Sequence, residues 1–183
     1  MRKRLGKAYD KDGQTAAKGT VIESLLEELL GHEFFLREPP RSAWRLDFGS
    51  TYAEDILQRY SSTSTEDLVA TFTMFTARSI ERAVVDFILP NTPTLREVVA
   101  SGGGTRNTTL FKWLGDRIAS HGVNLVLSDS YGMSAAYKEA IKFATLAFAT
   151  KRGLANNVPA ASGADRFAVL GKLTLAPRLA KGV

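Results

Sequence analysis

The residues best suited by type and spacing to do chemistry form one run, Ser101-Gly102-Gly103-Gly104-Thr105-Arg106-Asn107. Apolar Val98, Val99 and Ala100 precede it, and a helical pattern follows. The run therefore reads as strand, tight turn and helix N-terminus. Glycines let a backbone approach a ligand because no Cβ stands in the way. A helix N-terminus adds free N–H groups and the positive end of a dipole, which suit an anion. A nucleotide site is the leading reading, with Gly102, Gly103, Gly104 and Asn107 as its residues. The run lacks the Gly-x-Gly-x-x-Gly spacing of a dinucleotide fold and the Gly-Lys-Ser/Thr of a P-loop. On pattern alone, a turn used only for packing is as good a reading.

Among the carboxylates, Glu139 is the catalytic candidate. It falls about one turn into a helix that starts near the same strand edge. From the residues alone, a surface acid favoured near a helix N-terminus is the better explanation. Asp10, Asp12 and Gly13 open like a calcium loop, but no third acid and no closing Glu follow. They read as a turn, with a metal-bound phosphate or a sugar hydroxyl as the functional alternative. His32 and His121 lie far apart, each near a helix end, so a histidine metal site has no support. There are no cysteines, which excludes thiolate metal sites and disulfides. No Ser/His/Asp triad stands out. Lys142, Lys151 and Arg152 read as a solvated helix face.

These residues need elements to place them. A strand over 95–100, a helix over 107–120 and a strand over 123–127 form a parallel crossover. Both the glycine turn and the 128–132 turn then lie at the carboxyl edge of the strands, where open parallel sheets bind ligands. That brings Gly103, Gly104, Asn107, Asp129 and Ser130 toward one crevice. A last helix covers about 135–152 and is closed by Gly153. Upstream, Thr20 and Glu23 read as a capping box for a helix carrying Ile22, Leu25, Leu26, Leu29 and Leu30. A short helix spans 51–59, and a long one runs from 65 to about 89 with acids in its first turn. The tail is loop with one short strand. No repeat or domain boundary is visible.

The chain has 183 residues, 44% hydrophobic and 23% charged, enough for one soluble domain with a core. The net charge of +5 gathers at Arg2, Lys3, Arg4 and Lys7 and at Lys172, Arg178 and Lys181. Such termini read as solvated tails, and nucleic-acid binding is not expected. No apolar run reaches membrane-spanning length and no secretory signal opens the chain, so a cytoplasmic location is expected.

Four ordered blocks resemble the anhydro-N-acetylmuramic acid kinase family. The first is Tyr9-Asp10-Lys11-Asp12-Gly13 with Ala16, Ala17 and Gly19, then a leucine-rich helix and Phe34-Phe35 with Pro39-Pro40-Arg41-Ser42. The second is the glycine run with Asn107. The third is Asp129-Ser130-Tyr131-Gly132 with Lys138-Glu139-Ala140 and Phe143-Ala144. The fourth is Asn157-Val158-Pro159, Ser162-Gly163-Ala164 and Val169-Leu170-Gly171-Lys172. The resemblance implies an α/β fold of the actin/Hsp70/sugar-kinase (RNase H-like) type, with this chain as part of the second lobe, helix-rich around a short parallel sheet. It implies ATP and Mg²⁺ as cofactors and an anhydro amino sugar as substrate. The implied reaction hydrolyses the 1,6-anhydro bond and phosphorylates the 6-hydroxyl. Glycines 102–104 then match the nucleotide motif, and Glu139 matches an active-site acid that helps place the attacking water.

The blocks correspond only to the C-terminal half of the family pattern. The first lobe and an Asp-Thr-Gly-Pro-Gly-Asn block, which should precede Tyr9 and carry the catalytic base, are not among these residues. The expectation is a single domain, residues 1–183, that is truncated and inactive alone. The competing reading is a non-catalytic α-helical interaction module. Homodimerisation is compatible with either. An NAD-type dehydrogenase has the wrong glycine spacing.

Overall fold

A computed structural model describes residues 1–43 and 45–175. Arg178 and Lys181 lie outside the described residues. The chain forms two compact units, Met1–Ala136 and Tyr137–Val183.

The first unit is built around a long helix. It opens with a single turn, α1 (Arg2–Leu5), and continues through α2 (Glu23–Leu30), α3 (Arg45–Phe48) and α4 (Ser50–Arg59) to α5 (Thr65–Ala83). Ser64 caps α5 by accepting the Asp67 N–H at 3.0 Å, and Glu66 and Asp67 occupy its first turn. Leu68, near the start of α5, packs with Leu25, Leu29 and Ile56 in one cluster. Ala77, further along, packs with Leu114, Ile118 and Val123 in another. One helix therefore serves two cores. It buries small and hydroxyl residues as well as large apolar ones: Ala70, Thr71, Thr73 and Ala77. Thr71 is satisfied in place. Its Oγ1 donates to the Asp67 carbonyl at 2.7 Å and accepts the Ile22 N–H at 3.0 Å. The expected continuous α-helix to residue 89 instead ends at Ala83 and widens into a π turn, Val84–Ile88.

The expected Thr20 capping box does not form. Asp67 Oδ1 takes the Thr20 N–H at 2.7 Å, and Thr71 takes that of Ile22. The helix starts only at Glu23, with Ile22 as its cap and no side-chain bond there. The first turn of α5 has claimed the backbone that a capping box needs. Gly19 shows how close that approach is, since a Cβ on it would lie 2.1 Å from the Glu66 carbonyl oxygen. The basic N-terminus is docked only in part, at Arg4, while Arg2, Lys3 and Lys7 are exposed as expected. Lys3 pairs with Glu54 at 2.6 Å, and the Arg4 guanidinium donates to the carbonyls of Thr63 and Tyr60.

Beyond α5, strand β1 (Glu97–Ala100), helix α6 (Thr108–Ala119) and strand β2 (Asn124–Leu127) follow in order. The strands pair in parallel with Glu97 opposite Asn124 and Ala100 opposite Leu127. This is the expected strand, helix, strand unit, and the helix-rich chain with its short parallel sheet is an α/β protein. The expected helix over 107–120 is confirmed within a residue at each end.

The second unit holds α7 (Lys138–Arg152) and the short α8 (Pro159–Ser162). Gly153 ends α7 in the left-handed conformation, as expected. The segment after α7 folds back on it through side-chain amides. Asn156 Nδ2 donates to the carbonyls of Leu146 and Leu170, and its Oδ1 accepts the Leu170 N–H at 2.6 Å. Asn157 does the same with Arg166 and Ala168. No strand forms among the described residues after Leu127.

Candidate functional site

The glycine turn leaves β1 at its carboxyl end. Gly102 has φ 93° and ψ −178°, a region that only glycine occupies without strain. Its N–H donates to the Ala135 carbonyl at 2.9 Å, and Thr105 Oγ1 donates to its carbonyl at 2.8 Å. Residues Gly103–Arg106 then make a 3₁₀ turn. Asn107 is the N-cap of α6, with Oδ1 accepting the Leu110 N–H at 2.9 Å. A strand, a glycine turn and a capped helix N-terminus therefore stand in the expected order.

A second segment docks beside this turn. Asp10 closes its own loop: Oδ1 accepts the Thr15 N–H at 2.8 Å and Oδ2 the Ala16 N–H at 3.0 Å. The loop is then bolted to the start of α6. Thr108 Oγ1 donates to the Asp12 carbonyl at 2.8 Å, and Thr109 Oγ1 donates to that of Gly13 at 2.9 Å. Gly13, at φ 74°, sits against the cap itself, where a Cβ would lie 2.2 Å from Asn107 Oδ1. Between the two segments lies a cleft of about 540 Å³, with residues 9–12 on one side and Gly103, Arg106 and Asn107 on the other. That volume is in the range of small-molecule sites.

The crevice is thus not the one anticipated. Gly103 and Asn107 line it, whereas Gly104, Asp129 and Ser130 do not. Asp129 has another task, since Oδ2 accepts the Ala135 N–H at 3.1 Å and shapes the turn after β2. Tyr131, in that turn, donates to the Glu97 carboxylate, and this bond raises its phenol above the ordinary tyrosine range. The wall opposite the glycines comes instead from the Asp10 loop, a turn whose docking the sequence did not reveal. Asp12 stands in it at φ 56°, an unusual conformation for a residue other than glycine, though one that Asp tolerates better than most.

Glu139 lies in the second unit, on the first turn of α7. Its Oε2 meets Lys142 Nζ at 2.6 Å, and the hydrogen bond and charge of Lys142 hold its carboxyl below the usual glutamate range. It is ionised and exposed, in the geometry of an ordinary i,i+3 ion pair. Lys142 also lies over the Phe143 ring, and Arg152 over that of Phe148, so the basic face of α7 is partly spent on aromatics. The two histidines are structural. His32 Nδ1 accepts the Phe34 N–H at 3.1 Å, and His121 pairs with Glu81 at 3.1 Å. No group of three or more metal-ligating side chains forms among the described residues. No helix among them is long and apolar enough to cross a membrane.

A parallel strand pair with a glycine turn and a capped helix beyond its carboxyl edge defines an α/β chain. The family model for anhydro-N-acetylmuramic acid kinase matches residues 1–176. The chain is 37% identical to an anhydro-N-acetylmuramic acid kinase of Bacillus cereus (strain ZK / E33L) over 169 residues, covering 92% of this chain and 44% of that protein. Kinases of the same name from Bacillus cereus (strain B4264) and Bacillus anthracis (strain CDC 684 / NRRL 3495) are 38% and 36% identical over 170 residues. Each match covers 93% of this chain, with 43% and 44% of the relative. The chain belongs to the anhydro-N-acetylmuramic acid kinase family. It spans less than half the length of the curated relatives it matches.

Proposed function

We propose that this chain carries the nucleotide-binding part of an ATP-dependent anhydrosugar kinase and belongs to the second lobe of a sugar-kinase fold. The reaction is opening of the 1,6-anhydro bond of anhydro-N-acetylmuramic acid by water with phosphorylation of the 6-hydroxyl by ATP and Mg²⁺. The observation that carries the reading is the cleft beside Gly103 and Asn107, at the carboxyl edge of a parallel strand pair in a chain of this family. Gly103 supports close approach of a ligand, because nothing lies within 4 Å of the position its Cβ would take. Glu139 enters as the acid that orients the attacking water; its support is the family resemblance and an ionised carboxylate. Phosphoryl transfer asks the protein mainly to position groups and neutralise charge, so this chain's own contribution is to hold and orient the nucleotide.

Alone, the polypeptide binds ATP·Mg²⁺ and does not turn over the sugar. Isothermal titration tests the first statement. No heat at high micromolar protein and millimolar nucleotide would refute it. Phosphate transfer to anhydro-N-acetylmuramic acid tests the second, and sustained turnover by this chain would overturn the assignment of the base to residues outside it.

A second reading, a non-catalytic interaction module, is favoured by one feature. Helix α7 has no buried residue, and Phe143 and Phe148 remain 62% and 57% exposed. A stable complex in size-exclusion chromatography with light scattering, together with no affinity for nucleotide, would decide for it.

A further inference from the structure

The charges around the cleft are mixed in a way that selects a ligand. Lys11 and Arg106 both line it, and neither side chain has a hydrogen bond or ion pair among the described residues. Asp12 lines it too, and among the described residues only its backbone carbonyl is engaged, by Thr108. Asp10, the other acid there, has both carboxylate oxygens committed to the N–H groups of Thr15 and Ala16. The uncommitted set is therefore two cations and one carboxylate. A bare anion would meet Asp12, and a bare metal ion would meet Lys11 and Arg106. A polyphosphate carrying a divalent metal satisfies all three. Mg²⁺ is commonly bound by one or two carboxylates plus substrate phosphates, and it keeps several waters. The donor set fits that mode: one free carboxylate, and no cluster of three metal-ligating side chains among the described residues.

We propose that Lys11 and Arg106 grip the phosphate chain of a metal–nucleotide in this cleft, with Asp12 holding the metal's water shell. The assignment rests on the nucleotide reading above. It also gives the Asp12 conformation a purpose. The left-handed backbone at Asp12, locked by Asp10 on one side and by Thr108 and Thr109 on the other, keeps the Lys11 and Asp12 side chains at the cleft without a partner from the protein. Strained residues that their surroundings hold in place are common at ligand sites.

The test is isothermal titration of the chain with adenosine and with ATP, in the presence and absence of Mg²⁺. The variants are the K11Q/R106Q double and Asp12→Asn. Glutamine removes each charge but leaves an unbranched polar side chain, and asparagine tolerates the left-handed backbone. The double variant is expected to lose about tenfold or more in affinity for ATP·Mg²⁺ and less than about twofold for adenosine, since charge-assisted contacts are made only to the phosphates. Asp12→Asn should abolish the gain that Mg²⁺ gives to ATP binding. Wild-type affinity for ATP·Mg²⁺ should fall with ionic strength while that for adenosine stays level, a measurement that needs no variant to fold. A double variant that binds ATP·Mg²⁺ like the wild type, a D12N variant that keeps the whole Mg²⁺ gain, or an ATP affinity indifferent to salt overturns the assignment and leaves the nucleotide reading standing. A wild-type chain that binds neither adenosine nor ATP overturns both.

Discussion

Substituting alanine at four positions separates glycines that pack from glycines that leave room for a ligand. At Gly13 the chain has φ 74°, and a Cβ would stand 2.2 Å from Asn107 Oδ1 and 2.8 Å from both Cβ and Oγ1 of Thr109. A left-handed alanine costs about 1–2 kcal/mol. Moving the Asn107 amide breaks the cap on Leu110, worth about 1 kcal/mol. Moving Thr109 gives up its bond to the Gly13 carbonyl, about 1 kcal/mol more. Gly13→Ala should therefore destabilise the first unit by roughly 3–4 kcal/mol. Gly102→Ala meets no neighbour within 4 Å and incurs only backbone strain, about 1–3 kcal/mol. Gly103 and Gly104 have neither a close neighbour nor a left-handed backbone, so alanine there should shift stability by less than about 0.5 kcal/mol. Urea unfolding followed by tryptophan fluorescence reads all four, because Trp113 lies on α6 beside one of the cores. A Gly13→Ala variant as stable as the wild type would refute the docking of the Asp10 loop on the α6 cap. Titration with ATP completes the experiment. Gly103→Ala should fold normally and lose nucleotide affinity, whereas unchanged affinity would make the turn a packing device.

Three further outcomes follow from the cores and the buried charges. Leu25→Ala, at a fully buried position packed with Leu29, Ile56 and Leu68, should cost about 3 kcal/mol in a urea melt. Glu81 joins α5 to the end of α6, with Arg117 at 2.6 Å and His121 at 3.1 Å. Partial burial pushes its carboxyl up, but the bonds from His121 and Arg117 outweigh that and hold it below the usual glutamate range. A depressed folded-state value means this stability is complete above the ordinary value of 4.5 and is lost as pH falls through the lower folded value. Glu81→Gln should therefore destabilise the protein at pH 7 by about 2 kcal/mol and flatten its loss of stability below pH 4.5, read from melts across pH. Gly19→Ala, whose Cβ would strike the Glu66 carbonyl, should lower the melting temperature by several degrees, and an unchanged melt would refute the close packing of that segment on α5.

What could be read from the sequence was local, and what could not was contact across long separations. Helix α6 is set by signals in its own neighbourhood, a helical pattern behind the glycine run and His121-Gly122 after it, and it forms at Thr108–Ala119. The strands are bounded by Pro and Gly and are equally legible. The Thr20 capping box failed because its competitor, Asp67, lies 47 residues away. The cleft failed to show for the same reason. The bonds that set the Asp10 loop against α6 join residues 96 apart, and no periodicity carries such a pairing. The one trace was chemical. Asp12-Gly13 reads as a turn, yet a turn needs no lysine between two aspartates, and a glycine-rich turn needs no arginine before its cap. Lys11 and Arg106 look like ordinary solvent-facing cations in a chain of net charge +5. Many of the other cations in the described chain have an acid, a carbonyl or an aromatic ring, as do Lys3, Arg4, Arg41, Arg59, Arg117 and Lys142. Lys7, Lys18 and Lys151 are equally without a side-chain partner among the described residues, so what separates Lys11 and Arg106 is their place beside a cleft and an unengaged carboxylate.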